Sequence, residues 1–315
     1  MKKNLAILFT IGMGMIIFSF LTFLIPQKDF NFFNSFLLYY LFCVGVIIIS
    51  EAITLKYAKF SLFHKIVSSK RNLISFIMAS TVCGFLFELI ANFFGKLWIY
   101  PYWSLLFYIV IFVLGFAFYW LVICESYLAT KYLLDLFSKG KKYVTKPFRY
   151  EKKLFNLIGI FGIIFLILSV VFVCVDYSSK KMPLFGVEDL TSVTNNYVPP
   201  FFIMIILFFG LWFTLEYIQH YEKKTSLIKD IIHNYKSPLL AILICCFVLG
   251  TAMELQNVPI QYWTYTNWPF QEITFLGFPL IVLFIWPLHY IPFLSLFRAV
   301  SDKASSDIWC GDLIK

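Results

Sequence analysis

The sequence predicts an all-α, polytopic membrane helix bundle, and three observations carry that prediction: its composition, its long apolar segments and an internal repeat. Apolar residue types make up 61% of the 315 residues, charged residues only 14%, and the mean hydropathy is +0.82. A chain of this composition has a surface that suits lipid better than water. We therefore expect an integral membrane protein rather than a soluble domain.

Eight apolar segments are each long enough to cross a bilayer as a helix, which needs about 20 residues. They cover 4–25, 33–57, 73–95, 104–130, 154–175, 200–221, 239–256 and 273–297. The first follows Lys2 and Lys3, as the apolar part of a signal peptide would. Its apolar run is too long for a signal peptide and no small-residue cleavage site follows Pro26, so we expect it to be retained.

The distribution of Lys and Arg predicts the orientation, because these residues favour the cytoplasmic side. With the N-terminus inside, 22 of the 26 fall on the inner side. The four outside are Lys28, Lys96, Lys180 and Lys181. We expect a multi-pass protein of the cell (inner) membrane with both termini cytoplasmic. The net charge of +9 mostly reflects this asymmetry, so we expect anionic membrane lipid as a partner and no nucleic acid.

Residues of the same type recur at a spacing of 165 or 166. The pairs are Glu51 with Glu216, Lys59 with Lys224, Lys70 with Lys236, Gly84 with Gly250, Glu88 with Glu254, Asn92 with Asn257, Trp98 with Trp263, Tyr100 with Tyr265, Trp103 with Trp268, and Trp120 with Trp286. This predicts one membrane domain, 1–315, built of two four-helix repeats, about 1–138 and about 153–303, joined by a basic cytoplasmic linker, 139–153. Because four spans is an even number, the pseudo-two-fold axis is expected along the membrane normal.

Two of the repeated residues are glutamates within spanning segments, Glu88 and Glu254. A carboxylate there costs about 2.5 to 3.5 kcal/mol on insertion scales, so it normally faces the bundle interior and often marks function. The alternative is that each glutamate only bonds a neighbouring helix, through Asn92 or Asn257 one turn away. We predict that Glu88 and Glu254 are catalytic and that the two asparagines belong to the substrate-binding site.

Aromatic residues follow each glutamate in the short loops expected on the outer side. The predicted substrate-binding set is Trp98, Tyr100, Trp103, Trp263, Tyr265 and Trp268. Trp and Tyr also collect at membrane interfaces as belts, which alone would explain Trp103 and Trp268. An acid, an amide and an aromatic wall recur together, however, and this combination favours a site that faces outward.

A second ionisable set is expected nearer the cytoplasm: Glu51, Glu125, Glu216, His220 and His289. Side chains that snorkel toward neighbouring lysines would explain Glu51 and Glu216. Glu216 and His220 share a helix face, but four histidines in the chain are too few to favour a metal site. The seven cysteines show no disulfide or CxxC pattern, and phosphate-loop, dinucleotide, GxSxG and HExxH motifs do not occur.

An acidic residue on a membrane helix, then W-x-Y, then Gly-x-Pro before the next helix resembles carotenoid-modifying membrane proteins: the tandem-repeat lycopene cyclases and the bisanhydrobacterioruberin hydratases. The second half carries the fuller match, with Glu254, Trp263, Tyr265 and GFPLIVLFIWPLHY at 277–290. The Pro-x-Glu-Glu of the cyclases is replaced in that half by residues 277–280, Gly-Phe-Pro-Leu, and is missing from the first half.

The resemblance implies a redox-neutral enzyme that cyclises or hydrates an isoprenoid, with no cofactor and a lipophilic small molecule as substrate. In such chemistry a buried carboxylic acid, kept protonated by apolar surroundings, donates a proton to a carbon–carbon double bond. Aromatic faces, here Trp98, Tyr100, Trp263 and Tyr265, would stabilise the carbocation. A transporter with its site between parallel repeats and a non-catalytic scaffold remain open as alternatives, as do the substrate and the oligomeric state.

Overall fold

The computed structural model describes residues 2–20, 32–137, 149–176, 199–232 and 237–300, and 81% of the structure is helical. The all-α class is confirmed. The α-helices of these ranges are α1 (Lys2–Ser19), α2 (Phe32–Tyr57), α3 (Leu62–Ser68), α4 (Lys70–Phe87), α5 (Leu105–Phe137), α6 (Glu151–Asp176), α7 (Pro199–Tyr221), α8 (Leu227–Ile232), α9 (Ser237–Asn257) and α10 (Ile281–Val300). A π-helix, Glu88–Phe94, continues α4.

Six helices in the described ranges are long and apolar enough to span a membrane: α2, α4 with the π-helix, α6, α7, α9 and α10. The two parts of α5, Leu105–Ile111 and Gly115–Phe137, form a seventh span if they are taken together across their 45° bend. The described apolar part of α1, Asn4–Ser19, is shorter than these six helices. The chain is thus a multi-pass membrane protein with six or seven candidate spans, and the outer faces of these helices present apolar side chains to lipid.

Helix packing follows one scheme in each half of the chain. In the first half, α1 packs on α2, α2 on α5, and α4 on both α3 and α5. In the second half, α6 packs on α7, α7 on α10, and α9 on both α8 and α10. Between the halves, α5 packs on α9 and α10 packs on α4. The main core therefore lies where these four helices meet.

Small residues set the close approach of the outermost helix in each half. A Cβ added to Gly12 on α1 would lie 2.7 Å from Ile49 on α2, and one added to Gly162 on α6 would lie 2.6 Å from Thr214 on α7. Backbones that approach so closely gain van der Waals contact, which drives helix association in lipid. The outermost helices are therefore packed tightly against their partners rather than loosely attached.

Within the described ranges, four short strands lie between the helices: β1 (Trp98–Ile99), β2 (Thr264–Tyr265), β3 (Thr274–Phe275) and β4 (Phe278–Pro279). The prediction of a span beginning at 273 is wrong, because β3 and β4 form a hairpin there and α10 begins only at Ile281. Gly277 has φ +91°, a backbone conformation outside the helical region that glycine adopts without strain. An apolar run alone did not distinguish this hairpin from a helix turn.

Three predicted features lie wholly or partly outside the described residues. They are the end of the first apolar segment, most of the linker 139–153 and the loop 176–198.

Candidate functional site

Both predicted glutamates line one cavity of about 250 Å³ inside the bundle. The six predicted aromatic residues line it too: Trp98, Tyr100, Trp103, Trp263, Tyr265 and Trp268. The asparagines do not line it, and they act instead on the residues that do. The residues that the repeat singled out in two distant stretches of sequence are thus brought together around a single space.

Glu88 is the first residue of the π-helix and is 7% exposed. Its Oε1 accepts a hydrogen bond from the Tyr100 hydroxyl at 2.7 Å. Its Oε2 accepts one from Asn92 Nδ2 at 3.0 Å and one from the Tyr108 hydroxyl at 2.9 Å. Both oxygens of this carboxyl are therefore engaged, by donors from three neighbouring segments.

Glu254 lies in the last turn of α9 and is fully buried. The Tyr265 hydroxyl donates to its Oε1 at 2.5 Å, which repeats the relation of Tyr100 to Glu88. Its Oε2 has no hydrogen-bond partner among the described residues. Glu254 therefore differs from Glu88 in having one oxygen available to something held in the cavity.

Asn257 fixes the loop after α9 instead of bonding the glutamate. Its Nδ2 donates to the Trp263 carbonyl at 3.0 Å, and its Oδ1 accepts from the Trp263 amide at 3.1 Å. This pair of bonds holds the backbone that carries Trp263 and Tyr265 into the cavity wall. Asn92 and Asn257 are not among the residues that line the cavity, because each bonds neighbouring protein groups, and their part in binding a substrate stays a prediction.

Strands β1 and β2 join the two aromatic loops into an antiparallel ribbon. Trp98 pairs with Tyr265, and Ile99 pairs with Thr264. Next to the ribbon, the Leu97 carbonyl accepts from the Thr266 amide at 2.9 Å and from Trp268 Nε1 at 2.7 Å. These bonds hold the two aromatic loops together, and the aromatic rings that the loops carry form part of the cavity wall.

The tyrosines of this wall act as donors. Burial raises the pKa of Tyr100 and of Tyr265 well above the usual value of a phenol, and the charges of Glu88 and Glu254 raise it further. Each phenol consequently keeps its proton and donates a hydrogen bond to a carboxyl oxygen. Lys96 is one of the four basic residues predicted on the outer side, and it lies just before β1. Burial lowers the pKa of its amine.

The polar residues of the cavity that were not predicted as site residues include Tyr108, Tyr119 and His289. His289 was placed near the cytoplasm because its helix was taken to begin at 273, which puts it about 24 Å along the helix axis. Since α10 begins at Ile281, His289 lies only about 12 Å along it and reaches the same cavity as the glutamates. A correct helix start would have located it.

Three of the other residues predicted on the inner side, Glu125, Glu216 and His220, contact neighbouring protein groups. Glu216 is fully buried and accepts from the amides of Leu227 and Ile228, both at 3.1 Å, so it caps α8 rather than snorkelling to a lysine. Glu125 accepts from the Phe63 amide of α3 at 3.2 Å. His220 Nδ1 lies 3.5 Å from Glu151 Oε1. No group of side chains in the described ranges could hold a metal ion.

Comparisons with models of protein families, with curated proteins and with solved structures found no match to this chain.

Proposed function

We propose that the protein is a redox-neutral membrane enzyme that protonates a double bond of a lipophilic isoprenoid in this cavity. The observation that carries the proposal is the convergence of two buried carboxyl groups on one aromatic-walled space. The resemblance to carotenoid-modifying proteins supports an isoprenoid polyene as the substrate class. Acid catalysis of this kind consumes no electrons, so it asks of the protein only a proton donor, a shaped apolar space and groups that stabilise positive charge.

Glu254 is the proton donor in this proposal. Its Oε1 is held by Tyr265, whereas Oε2 has no hydrogen-bond partner in the described part of the chain, and the residue lines the cavity. Glu88 receives three hydrogen bonds, and such donors stabilise the charged form of a carboxyl group. Glu88 therefore supplies the negative charge that faces the developing carbocation.

The aromatic wall completes the chemistry. Ring faces attract cations, and the effect grows when water is excluded. Trp98 is held by its Nε1–H bond to the Tyr100 hydroxyl at 2.9 Å and stacks on Phe87 at 5.1 Å. A wall fixed in this way stabilises positive charge without having to rearrange during the reaction.

The cavity volume limits what is bound. Pockets that enclose a drug-sized ligand measure about 300 to 1,000 Å³, and this cavity, at about 250 Å³, is smaller. It therefore holds the end group of a polyene, while the remainder of the chain extends between helices into lipid. Tyr40 on α2 and Phe118 on α5 line the cavity, with their ring centroids 4.9 Å apart.

The arrangement in the membrane is part of the proposal: eight spans in the inner membrane, both termini cytoplasmic, and two four-helix repeats related about the membrane normal. The recurring scheme of helix contacts supports the repeat. So does the ribbon, because Ile99 and Thr264 occupy equivalent positions at the repeat spacing and pair with each other, as residues beside a two-fold axis do. The Lys and Arg distribution supports the orientation.

Turnover in D₂O tests the function. The purified protein in lipid nanodiscs is incubated with lycopene and with shorter acyclic isoprenoids, and the extracted lipids are analysed by mass spectrometry. The expected result is a cyclised, isomerised or hydrated product with solvent deuterium bound to carbon. Lipids co-purifying with the protein are analysed in parallel to identify the physiological end group. If neither turnover nor a bound isoprenoid is found with the whole panel, the proposal is wrong.

A further inference from the structure

His289 is a buried histidine that the acid chemistry above leaves without a role. It lies on α10, is 8% exposed and lines the same cavity as Glu88 and Glu254. Its Nε2 has no hydrogen-bond partner among the residues that the structure describes. A polar ring atom buried without a partner carries a desolvation penalty, so its position next to a cavity needs an explanation.

The surroundings of His289 are aromatic. Phe87 stacks on the imidazole at 4.7 Å with 25° between the planes, and Phe293 meets it edge-on at 4.3 Å. The Tyr119 hydroxyl lies 3.4 Å from Nδ1. No ion pair to His289 is found within the described ranges. In the tautomer whose Nδ1–H donates to Tyr119, Nε2 is left with a lone pair and no proton.

We propose that His289 is the base that ends the reaction, a role that rests on the proposed function and makes it more specific. The O–H bond of Glu254 breaks as a C–H bond forms at one alkene carbon, leaving a carbocation. A C–H bond next to the cationic carbon then breaks, its electron pair forms the new double bond, and its proton goes to Nε2 of His289. The product is therefore a cyclised or isomerised alkene with the composition of the substrate.

The same surroundings allow His289 to hold a proton briefly and to lose it before the next turnover. The imidazolium lies against the face of Phe87, a ring that stabilises a cation, and shares its cavity with the carboxyl of Glu88. Once product leaves, water that refills the cavity returns the proton from His289 to Glu254. One proton is given and one is taken in each cycle, so no oxidant, reductant or other co-reactant is consumed.

Two histidine variants test the role. His289→Phe keeps an aromatic ring of similar shape and removes the base. His220→Phe is the matched control, since His220 also stacks on an aromatic ring, Phe155 at 4.3 Å, but lies outside the cavity. Both variants are assayed with lycopene and the shorter isoprenoids in D₂O, for product and for deuterium in the recovered substrate. Thermal unfolding of each purified variant checks the fold.

His289→Phe is expected to lose product formation by about 10²-fold or more, the usual contribution of a general base. Deuterium should still appear in recovered substrate, because Glu254 protonates the alkene and its carboxylate then removes a hydron again. His220→Phe should match the wild type. Loss of deuterium together with product would overturn the proposal in favour of a structural role, and so would full activity of a folded His289→Phe variant or a wild-type product containing the elements of water. Absence of wild-type turnover would refute the proposed function itself.

Discussion

The residues around Glu88 and those around Glu254 are of nearly the same types, but they form different hydrogen bonds. In the first half, Asn92, Tyr100 and Tyr108 all donate to Glu88. In the second half the Tyr265 hydroxyl donates to Oε1 of Glu254, and its Oε2 has no hydrogen-bond partner among the described residues. The repeat spacing alone makes the two carboxyl groups look interchangeable. Their partners instead indicate a division of labour, with one carboxyl saturated by donors and the other able to exchange a proton with a ligand.

A difference in the backbone accompanies this division. The chain passes from α4 into a π-helix at Glu88, whereas α9 remains an α-helix through Asn257. Wider π turns are common at functional sites because they change which side chains meet. Here Asn92 is directed to the Glu88 carboxyl, while Asn257 is directed to the backbone of Trp263. Asparagines at equivalent positions thus bond a carboxyl group in one half and a loop backbone in the other.

The largest effect expected concerns which side of the membrane faces the loops before and after α6, where the two halves join, and it is all-or-none. Single cysteines are introduced at Ser178 and Ser138, on a background without reactive native cysteines. A membrane-impermeant reagent should label position 178 on intact cells and position 138 only after permeabilisation, because the basic residues around 139–153 favour the cytoplasmic side. The reverse pattern would contradict the proposed orientation of both halves.

The next largest effect separates the two acids. Glu254→Gln keeps the size of the side chain and removes the transferable proton, so turnover should fall by about 10²- to 10⁴-fold. Glu88→Gln should reduce turnover about tenfold, or about 1.4 kcal/mol of transition-state stabilisation. Turnover is followed by product formation from the isoprenoid panel. Glu216→Gln, an equally buried glutamate outside the cavity, serves as the control and should retain turnover. Equal losses of turnover in Glu254→Gln and Glu88→Gln would contradict the different roles assigned to the two glutamates.

Stability should distinguish the halves through a pair of glycines at the repeat spacing. A Cβ added at Gly84 would lie 2.2 Å from the ring of Phe116, whereas one added at Gly250 would lie 3.2 Å from that of Trp286. Gly84→Ala should therefore lower the free energy of unfolding by about 1–3 kcal/mol, the usual effect of overpacking, and Gly250→Ala by less. Denaturant unfolding in detergent micelles measures both. Equal losses would indicate that Phe116 moves aside as easily as Trp286.

The smallest difference is expected between the two asparagines. Asn257→Ala removes two hydrogen bonds to Trp263, and Asn92→Ala removes one to Glu88. At about 1 kcal/mol for each bond, the first variant should be destabilised by about 1 kcal/mol more than the second. The same unfolding experiment measures the difference, and Asn92→Ala should in addition affect turnover, since it changes the environment of an acid. A larger loss of stability at Asn92 would contradict these assignments.

Local patterns in the sequence were sufficient for much of this picture. Apolar length predicted most of the long helices to within a few residues, and the repeat singled out Glu88, Glu254 and the six aromatic residues that line one cavity. These features depend on residue type and spacing, which the chain displays directly. The function and the repeat itself remain predictions.

Three features could not be predicted from residue type and spacing. Tyr108 bonds Glu88 from the following helix, and no spacing rule links those two positions. The π-helix at Glu88 has no residue signature that distinguishes it from α-helix. His289 was misplaced because the apolar residues before Ile281 form a hairpin around Gly277 instead of a helix turn. The bond between Tyr108 and Glu88 joins residues 20 positions apart, whereas the π-helix and the hairpin are local features that apolar residue types do not distinguish from an α-helix.

The ribbon of β1 and β2 has a kinetic consequence. In the proposed reaction the two aromatic loops stay joined by backbone hydrogen bonds, and an isoprenoid, being insoluble in water, reaches Glu254 from the bilayer. The quantity that would saturate the enzyme is then the mole fraction of substrate within the bilayer, and an apparent KM expressed per volume of buffer would have no fixed value. Adding empty lipid at constant total substrate would slow turnover by two-dimensional dilution, and the rate constants of the proposed reaction would depend on the composition of the surrounding membrane.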